Sequence, residues 1–485
     1  MDEAAPRWAK VLDQSRCIGC HACTTACKSE NEVPLGVTRT FVKSVDIGIF
    51  PVARRAFQVT RCNQCEDAPC VAACPTQAMY RREDGIVDFD KQICIGCKAC
   101  MAACPYDAIF INPDDHSAEK CNLCAHRLDI GLEPACVTVC PTEAILVGDL
   151  NDPTSKVAQV VNREAVQVRK PEKETKPAVF YKGAHQTTLD PLAARRPDGG
   201  LYAWATQGAD APVTGANSSA AALISYDIPH QAPWGWRVSL YTWTKSIAAG
   251  GFAVPVALAA AGRLSWTENT VRWGAPIIGL VFLALTGGLL IWDLKHPMRF
   301  YLIFTKHHWR SWLVRGSVII GGYGAALTVY LVAAIAGAGG SVQQAAGWIG
   351  MFLATATAVY TAYLFAQAKA RDMWQSPLLA PHLAVQAALA GAAVTVPFAH
   401  RPAEVVLIVT VVAHLALAAA EITVPHGTAH AHLATQELWR GKYRLLFWIS
   451  ALLIAAGIFV PPLALLGLLA YEHAYVRAGQ CVALA

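Results

Sequence analysis

The rhythm of apolar and polar positions changes near residue 236. Before it, apolar residues come in short runs broken by Gly, Pro and charge, as in Gly85–Phe89 and Ala108–Asn112. Such runs predict small strands beside short helices. After it, long apolar stretches follow one another: Leu240–Ala261, Trp273–Trp292, Leu313–Ala336, Ala346–Ala368, Leu378–Phe398 and Ala403–Ile422. A helix needs about 20 residues to cross hydrocarbon, so each reads as a transmembrane span. A last stretch, Leu445–Tyr475, reads either as one kinked helix or as two short spans hinged at Pro461-Pro462. The expected fold class is an α+β first half followed by an all-α polytopic bundle of seven or eight helices.

Charge follows the same division. Residues 1–236 carry 24 Lys/Arg and 28 Asp/Glu, whereas residues 237–485 carry 16 and 7. The net +5 of the chain therefore belongs to the apolar half, where basic residues cluster at span ends, and gives no sign of nucleic-acid binding. From residue 151 the character shifts through the charge run Arg169–Glu174 to the Ala/Ser-rich stretch Ala209–Ala222. We read a strap and then a linker, with domains expected at 1–200, 201–236 and 237–485. Residues 1–16 show neither an apolar signal core nor a twin-arginine pair.

Sixteen of the 17 cysteines lie between Cys17 and Cys140, in four groups of four. They are Cys17, Cys20, Cys23, Cys27; Cys62, Cys65, Cys70, Cys74; Cys94, Cys97, Cys100, Cys104; and Cys121, Cys124, Cys136, Cys140. Proline follows Cys74, Cys104 and Cys140, while Lys28 follows Cys27. The C-x2-C-x2-C-x3-C-P run is the bacterial ferredoxin pattern for cubane [4Fe–4S] clusters, in which the fourth cysteine reaches a different cluster. Zinc also takes CxxC pairs, but zinc ribbons use two separated pairs without the third cysteine and the proline. Four [4Fe–4S] clusters are expected, and they supply much of the folding energy that such small cores lack.

On these motifs residues 1–200 resemble the four-cluster electron-transfer subunit of the molybdopterin oxidoreductase superfamily, an α+β ferredoxin-like double repeat. The resemblance implies that the first cysteine group pairs with the fourth and the second with the third. The implied ligand sets are Cys17, Cys20, Cys23 with Cys140; Cys121, Cys124, Cys136 with Cys27; Cys62, Cys65, Cys70 with Cys104; and Cys94, Cys97, Cys100 with Cys74. Residues 230–480 resemble the NrfD-type membrane subunit that interacts with quinone. That likeness rests on Tyr241-x-Trp243-x-Lys245-x3-Ala249-Gly250, Asp293-Leu294-x2-Pro297-x-Arg299-Phe300 and Trp374-x-Ser376-Pro377-Leu378. The family's eight spans favour a break at Pro461-Pro462.

Ionisable residues inside spans are costly and usually face a cavity or a partner. Lys245 and Tyr241 share a face of the first span, Asp293 ends the second, and Tyr363 sits on the fourth. His414 and Glu421 lie seven apart on the sixth. By alternating topology Tyr241, Lys245, Asp293, Tyr363 and Glu421 gather at the end carrying the ferredoxin domain, where quinone (menaquinone or ubiquinone) must meet a cluster. With His414 they form the candidate site for quinone and its protons. His382 and His414 raise the question of haem, but the resemblance implies a haem-free subunit.

Twelve basic residues at span ends fall on the ferredoxin side and three opposite, which points to a cytoplasmic ferredoxin domain on the inner membrane. The resemblance implies an electron-conducting subunit of a respiratory complex. Its partners would be the membrane lipid and quinone pool and a separate large catalytic subunit holding a molybdenum or tungsten bis-pterin. We find no dinucleotide fingerprint, phosphate loop or nucleophile–base pair here for chemistry on a terminal substrate. The alternative is a proton-coupling module of a quinol-oxidising assembly like alternative complex III, partnered by multihaem cytochrome c.

Overall fold

The structure, a computed structural model, describes residues 5–48, 51–196, 222–337 and 340–484. The side chain of His400 is also outside this description. The chain divides into two compact units. One runs to Gln231 and takes in the residues from Ala483 on; the other is Ala232–Val482.

The first unit is built of short pieces, as the broken apolar runs dictate. Strands β1 (Trp8–Asp13), β8 (Ile145–Asp149), β9 (Val166–Gln167) and β10 (Val179–Lys182) form one sheet in the order β8-β1-β10-β9. Strand β1 is antiparallel to β8 and parallel to β10. A second sheet orders β11 (Ala222–Tyr226), β2 (Thr40–Ile47) and β3 (Arg54–Arg61). Thus the described end of the segment expected to be linker is a strand paired antiparallel with β2. Most of that segment, including Ala209–Ala221, lies outside the described residues.

Two hairpins repeat one plan. Strands β4 (Met79–Arg81) and β5 (Val87–Phe89) follow helix α2 (Pro69–Ala73); β6 (Ile109–Ile111) and β7 (Ala118–Lys120) follow α3 (Ala99–Ala103). In each, a one-turn helix ends one residue before a Cys-Pro pair. The core beneath them is largely cysteine, with Met79, Val87, Met101, Tyr106 and Ile109. Helices α1 (Ala22–Glu30), α4 (Ala125–Leu128) and α5 (Ala135–Thr138) carry the remaining cysteine runs, and α6 (Lys156–Arg163) and α7 (Gln186–Leu189) complete the unit.

The second unit is all helix: α8 (Trp236–Ala260), α9 (Ala275–Asp293), α10 (Trp312–Ile335) and α11 (Gly340–Ala366) come first. A π-helical turn, Thr270–Gly274, leads into α9. Helical residues then run from Leu379 to Thr423 without interruption. Yet His382 bonds His414 and Ser376 bonds Glu421, pairs centred near residue 398, so the chain reverses there. We therefore treat two antiparallel spans, α12 (Leu379–Ala399) and α13 (Arg401–Thr423), with Pro397 and Pro402 flanking the bend. After α14 (Ala429–Trp439), α15 (Arg444–Ala456) and α16 (Pro461–Ala478) complete the bundle. The prolines do not kink one helix. They open a second, with Pro461 in its first turn, and α16 folds back so that Gly457 abuts Ala464 and Gly467 abuts Ile454.

Among the described residues six helices are long and apolar enough to cross a membrane. Their packing depends on small residues. A Cβ on Gly250 of α8 would run into the backbone of Ala387, and one on Gly391 of α12 into that of Gly250. Such backbone contact is how helices associate where no hydrophobic gradient drives them together.

Candidate functional site

Each cysteine group begins with the same backbone reversal. The residue two after the first cysteine has positive φ in all four: Gly19 (70°), Gln64 (48°), Gly96 (68°) and Leu123 (58°). His21 and Lys98 repeat it two residues later, at 59° and 63°. Left-handed conformation costs an ordinary residue about 1–2 kcal/mol, so its recurrence marks a loop curled around something. At Gly19 space adds to the requirement, because a Cβ there would strike the Phe57 ring. A second reversal follows three residues after Cys74, Cys104 and Cys140, at Gln77, Asp107 and Glu143. It brings the Met79 and Ala144 amides within 3.4 and 3.2 Å of the Cys74 and Cys140 sulfurs. Lys28 breaks the proline pattern for a local reason. Helix α1 continues past Cys27 to Glu30, whereas α2, α3 and α5 stop before their last cysteine.

The fold brings the thiols together in four sets, in each of which the members perturb one another's ionisation. Cys17 feels Cys20, Cys23 and Cys140; Cys27 feels Cys121, Cys124 and Cys136. Cys70 feels Cys62, Cys65 and Cys104; Cys100 feels Cys74, Cys94 and Cys97. Between sets, Cys23 feels Cys136, Cys62 feels Cys121, and Cys100 feels Cys70. Each set thus adjoins the next in succession.

Among the described residues no three His, Cys, Asp or Glu side chains approach closely enough to hold a single metal ion. A zinc ion would draw four sulfurs to about 2.3 Å from itself. The sulfurs of these sets are not drawn in around such a point. Burial and neighbouring thiols push Cys27 and Cys65 up to about 12. Such thiols ionise on binding metal rather than before it. Cys136 is the exception: burial would raise it, but Lys10 and Arg61 outweigh that and bring it down to about 7. Arg61 is buried with its Nε and Nη2 lacking any hydrogen-bond partner. Those orphaned donors fit the sulfides and negative charge of a bound cluster.

In the helical unit, the N-terminal end of α8 meets the C-terminal ends of α11 and α16. Lys245, fully buried, donates from Nζ to the Ala358 carbonyl (2.9 Å) and Thr361 Oγ1 (2.6 Å). Its ammonium lies 5.1 Å from the centre of the Tyr360 ring. Thr242 Oγ1 donates to Glu472 at 2.5 Å, and Glu472 lies within the field of Lys245. His382 and His414 bond each other at 3.0 Å, with Tyr471 against both rings. Glu421 accepts from Ser376 at 3.1 Å, and its other oxygen is buried without a partner.

A partly open cleft lies among these groups. Thr242, His382, Gln386, Tyr471, Glu472 and Tyr475 line it, with Phe365, Leu379, Leu383 and Val476 as apolar wall. None of the six residues expected from sequence lines the cleft itself. His414 stands one bond behind His382, and Lys245 stands behind Glu472. Tyr241 is buried on α8, and Asp293 is half-buried at the end of α9. Tyr363 points away, half-exposed and stacked on Trp312 at 4.5 Å. The sequence reading missed Glu472 and Tyr471. The signal was there, since Glu472 is a lone carboxylate within the apolar stretch Leu463–Tyr475.

The two units therefore define a class: an iron–sulfur electron-transfer protein joined to a multi-pass membrane bundle. A 4Fe–4S binding domain model matches residues 8–29, and a 4Fe–4S dicluster domain model matches 53–150. The chain is 45% identical over 204 residues to the B subunit of tetrathionate reductase from Salmonella typhimurium, covering 40% of this chain and 80% of that one. It is 44% identical over 179 residues to the B component of polysulfide reductase from Wolinella succinogenes, covering 36% and 94%. It is 36% identical over 223 residues to the arsenate respiratory reductase iron–sulfur subunit of a Shewanella strain, covering 36% and 95%. The protein belongs to the family of these iron–sulfur subunits in its first half and, over residues 226–479, to the polysulphide reductase NrfD family. It is an electron-transfer and membrane-anchoring subunit with the two parts fused.

Proposed function

We propose that this chain conducts electrons, through four [4Fe–4S] clusters, between a separate catalytic subunit and a quinone in the membrane. The observation that carries the reading is the convergence of sixteen cysteines into four adjoining sets of four in one unit, alongside an NrfD-type bundle in the other. The ligand sets would be Cys17, Cys20, Cys23, Cys140; Cys27, Cys121, Cys124, Cys136; Cys62, Cys65, Cys70, Cys104; and Cys74, Cys94, Cys97, Cys100. When bound, each cluster would supply a one-electron couple, held by residues of sets that adjoin one another in succession.

The cleft of the helical unit is where we place the quinone head group, on the ground of its unpaired polar groups. Gln386 Oε1, the Tyr471 hydroxyl and Glu472 Oε1 are buried without partners, and an unpaired buried polar group costs about 1–3 kcal/mol until something bonds it. Tyr471 and His382 would donate to the carbonyl oxygens, and Gln386 Oε1 would accept from a hydroxyl of the reduced quinol. Glu472, steadied by Thr242 and Lys245, would exchange protons there, with Tyr241, Asp293, Glu421 and His414 as the surrounding polar set. The relatives are named as subunits of tetrathionate, polysulfide and arsenate reductases. A large pterin-bearing catalytic partner is accordingly proposed, as is an inner-membrane site with the cluster unit in the cytoplasm. Tyr471→Phe or Gln386→Leu, at the cleft wall, should keep all four clusters yet slow re-oxidation of the dithionite-reduced protein by a quinone analogue. Re-oxidation at the wild-type rate in both would remove quinone from this cleft.

The His382–His414 pair, buried and braced by Tyr471, favours one element of the second reading, a proton path within the bundle. Mass spectrometry of co-purifying subunits separates the two: a pterin subunit supports the first, multihaem cytochrome c the second.

A further inference from the structure

Lys10 on β1 and Arg61 on β3 come from different sheets and converge on one sulfur. They donate to Cys136 Sγ at 3.6 and 3.3 Å. Both are essentially without solvent exposure, at 0% and 1%. Among the described residues neither is paired with a carboxylate, so the charge that answers them must come from cysteine sulfur as thiolate. Burying two cations is unfavourable unless opposite charge answers them. Asn31 adds two weaker contacts from its side-chain amide, 3.7 Å to Cys27 and 3.7 Å to Cys124. Cys27, Cys124 and Cys136 belong to one set.

The other sets are treated differently. Cys140, Cys74 and Cys94 receive backbone amides from Ala144, Met79 and Ala118. Cys62 takes a hydrogen bond from one buried cation, Lys120, whose ammonium also donates to the Val87 and Cys121 carbonyls. The set of Cys27, Cys121, Cys124 and Cys136 is the one answered by two converging side-chain cations.

Reducing a bound cluster adds one electron, and hence one negative charge, inside the protein. A fixed cation and N–H donors on sulfur stabilise the more negative state and raise the potential. Accepting the proposed ligand sets, we infer that Lys10 and Arg61 make the Cys27/Cys121/Cys124/Cys136 centre the highest-potential of the four. It is the second in the succession, reached from Cys23 on one side and Cys62 on the other. At equilibrium a single electron added to the cluster-loaded chain would reside there.

The test is a potentiometric titration of the whole cluster-loaded chain, with dithionite as reductant, redox mediators, and electron paramagnetic resonance as readout. One signal should become reduced ahead of the rest. Arg61→Gln and Lys10→Gln should each lower that signal's reduced-to-oxidised ratio at fixed potential at least tenfold, about 59 mV for a one-electron couple. Asn31→Leu should shift the same signal in the same direction by less. Arg61→Lys, which keeps the charge, should recover most of the loss and carries the test if Arg61→Gln does not assemble. The inference is overturned if no signal moves, if the signal that moves is not the first reduced, or if the Asn31 and Arg61 variants move different signals. Wild-type iron far below four cubanes would instead overturn the cluster reading on which it rests.

Discussion

Lys28 stands where proline stands after the other three fourth-position cysteines, and the difference is structural. Helix α1 runs on through it, and its Nζ clamps the following loop through the Pro34 and Val37 carbonyls at 2.9 and 2.6 Å. Restoring the pattern with Lys28→Pro removes an interior N–H and both clamps. It should cost about 3 kcal/mol and release iron at lower temperature than wild type, followed by loss of visible absorbance on heating. Glu472 is the opposite case, a residue that fits no local motif. Glu472→Gln keeps the Thr242 contact but not the exchangeable charge, so quinone-analogue re-oxidation should fall at least tenfold with cluster content unchanged. Equal rates would assign Glu472 a packing role. The cysteines were legible because ligand spacing is set within a few residues of chain. Glu472 was legible only as a lone carboxylate in an apolar stretch, because its partner Thr242 stands 230 positions away.

At the scale of elements the span pattern was legible where hydrophobic length decides and silent where packing decides. The six long helices fall close to their expected stretches, since about 20 apolar residues leave little choice. The region after residue 444 stayed open because α15 has 13 residues and α16 has 18, and two short helices look like one long one in hydropathy. What separates them is contact between Gly457, Ala464 and Gly467, which apolar counting does not see. The same blindness hides the α8–α12 crossing. Gly250→Val would put a branched side chain into the Ala387 backbone and should abolish the folded, monodisperse membrane unit in detergent chromatography, whereas a change at open Gly287 should not. A third element effect lies at the end of β11. Burial would lower His230, but Asp107 and Asp227 on its two nitrogens outweigh that and raise it to about 9. Stability from this link is complete below the ordinary histidine range and lost as pH rises through about 9. We expect about 2 kcal/mol to disappear across that window, measured as the difference in thermal midpoint between wild type and His230→Gln.

For the whole molecule, acid-labile sulfide and iron should each be found at about 16 per chain, four cubes of four. Zinc in place of iron would end the redox reading. Protease applied outside intact cells should spare residues 5–196, as the basic span ends imply, and cleavage there would assign those residues to docking on an exported unit. Both units lie on one polypeptide, divided between Gln231 and Ala232, whereas a two-protein design must meet by diffusion. Joined, they cannot be titrated apart: supply of one is always supply of the other, and no excess of either can accumulate to leak electrons to oxygen. Transfer between them, as proposed, would then be a first-order process, independent of protein concentration.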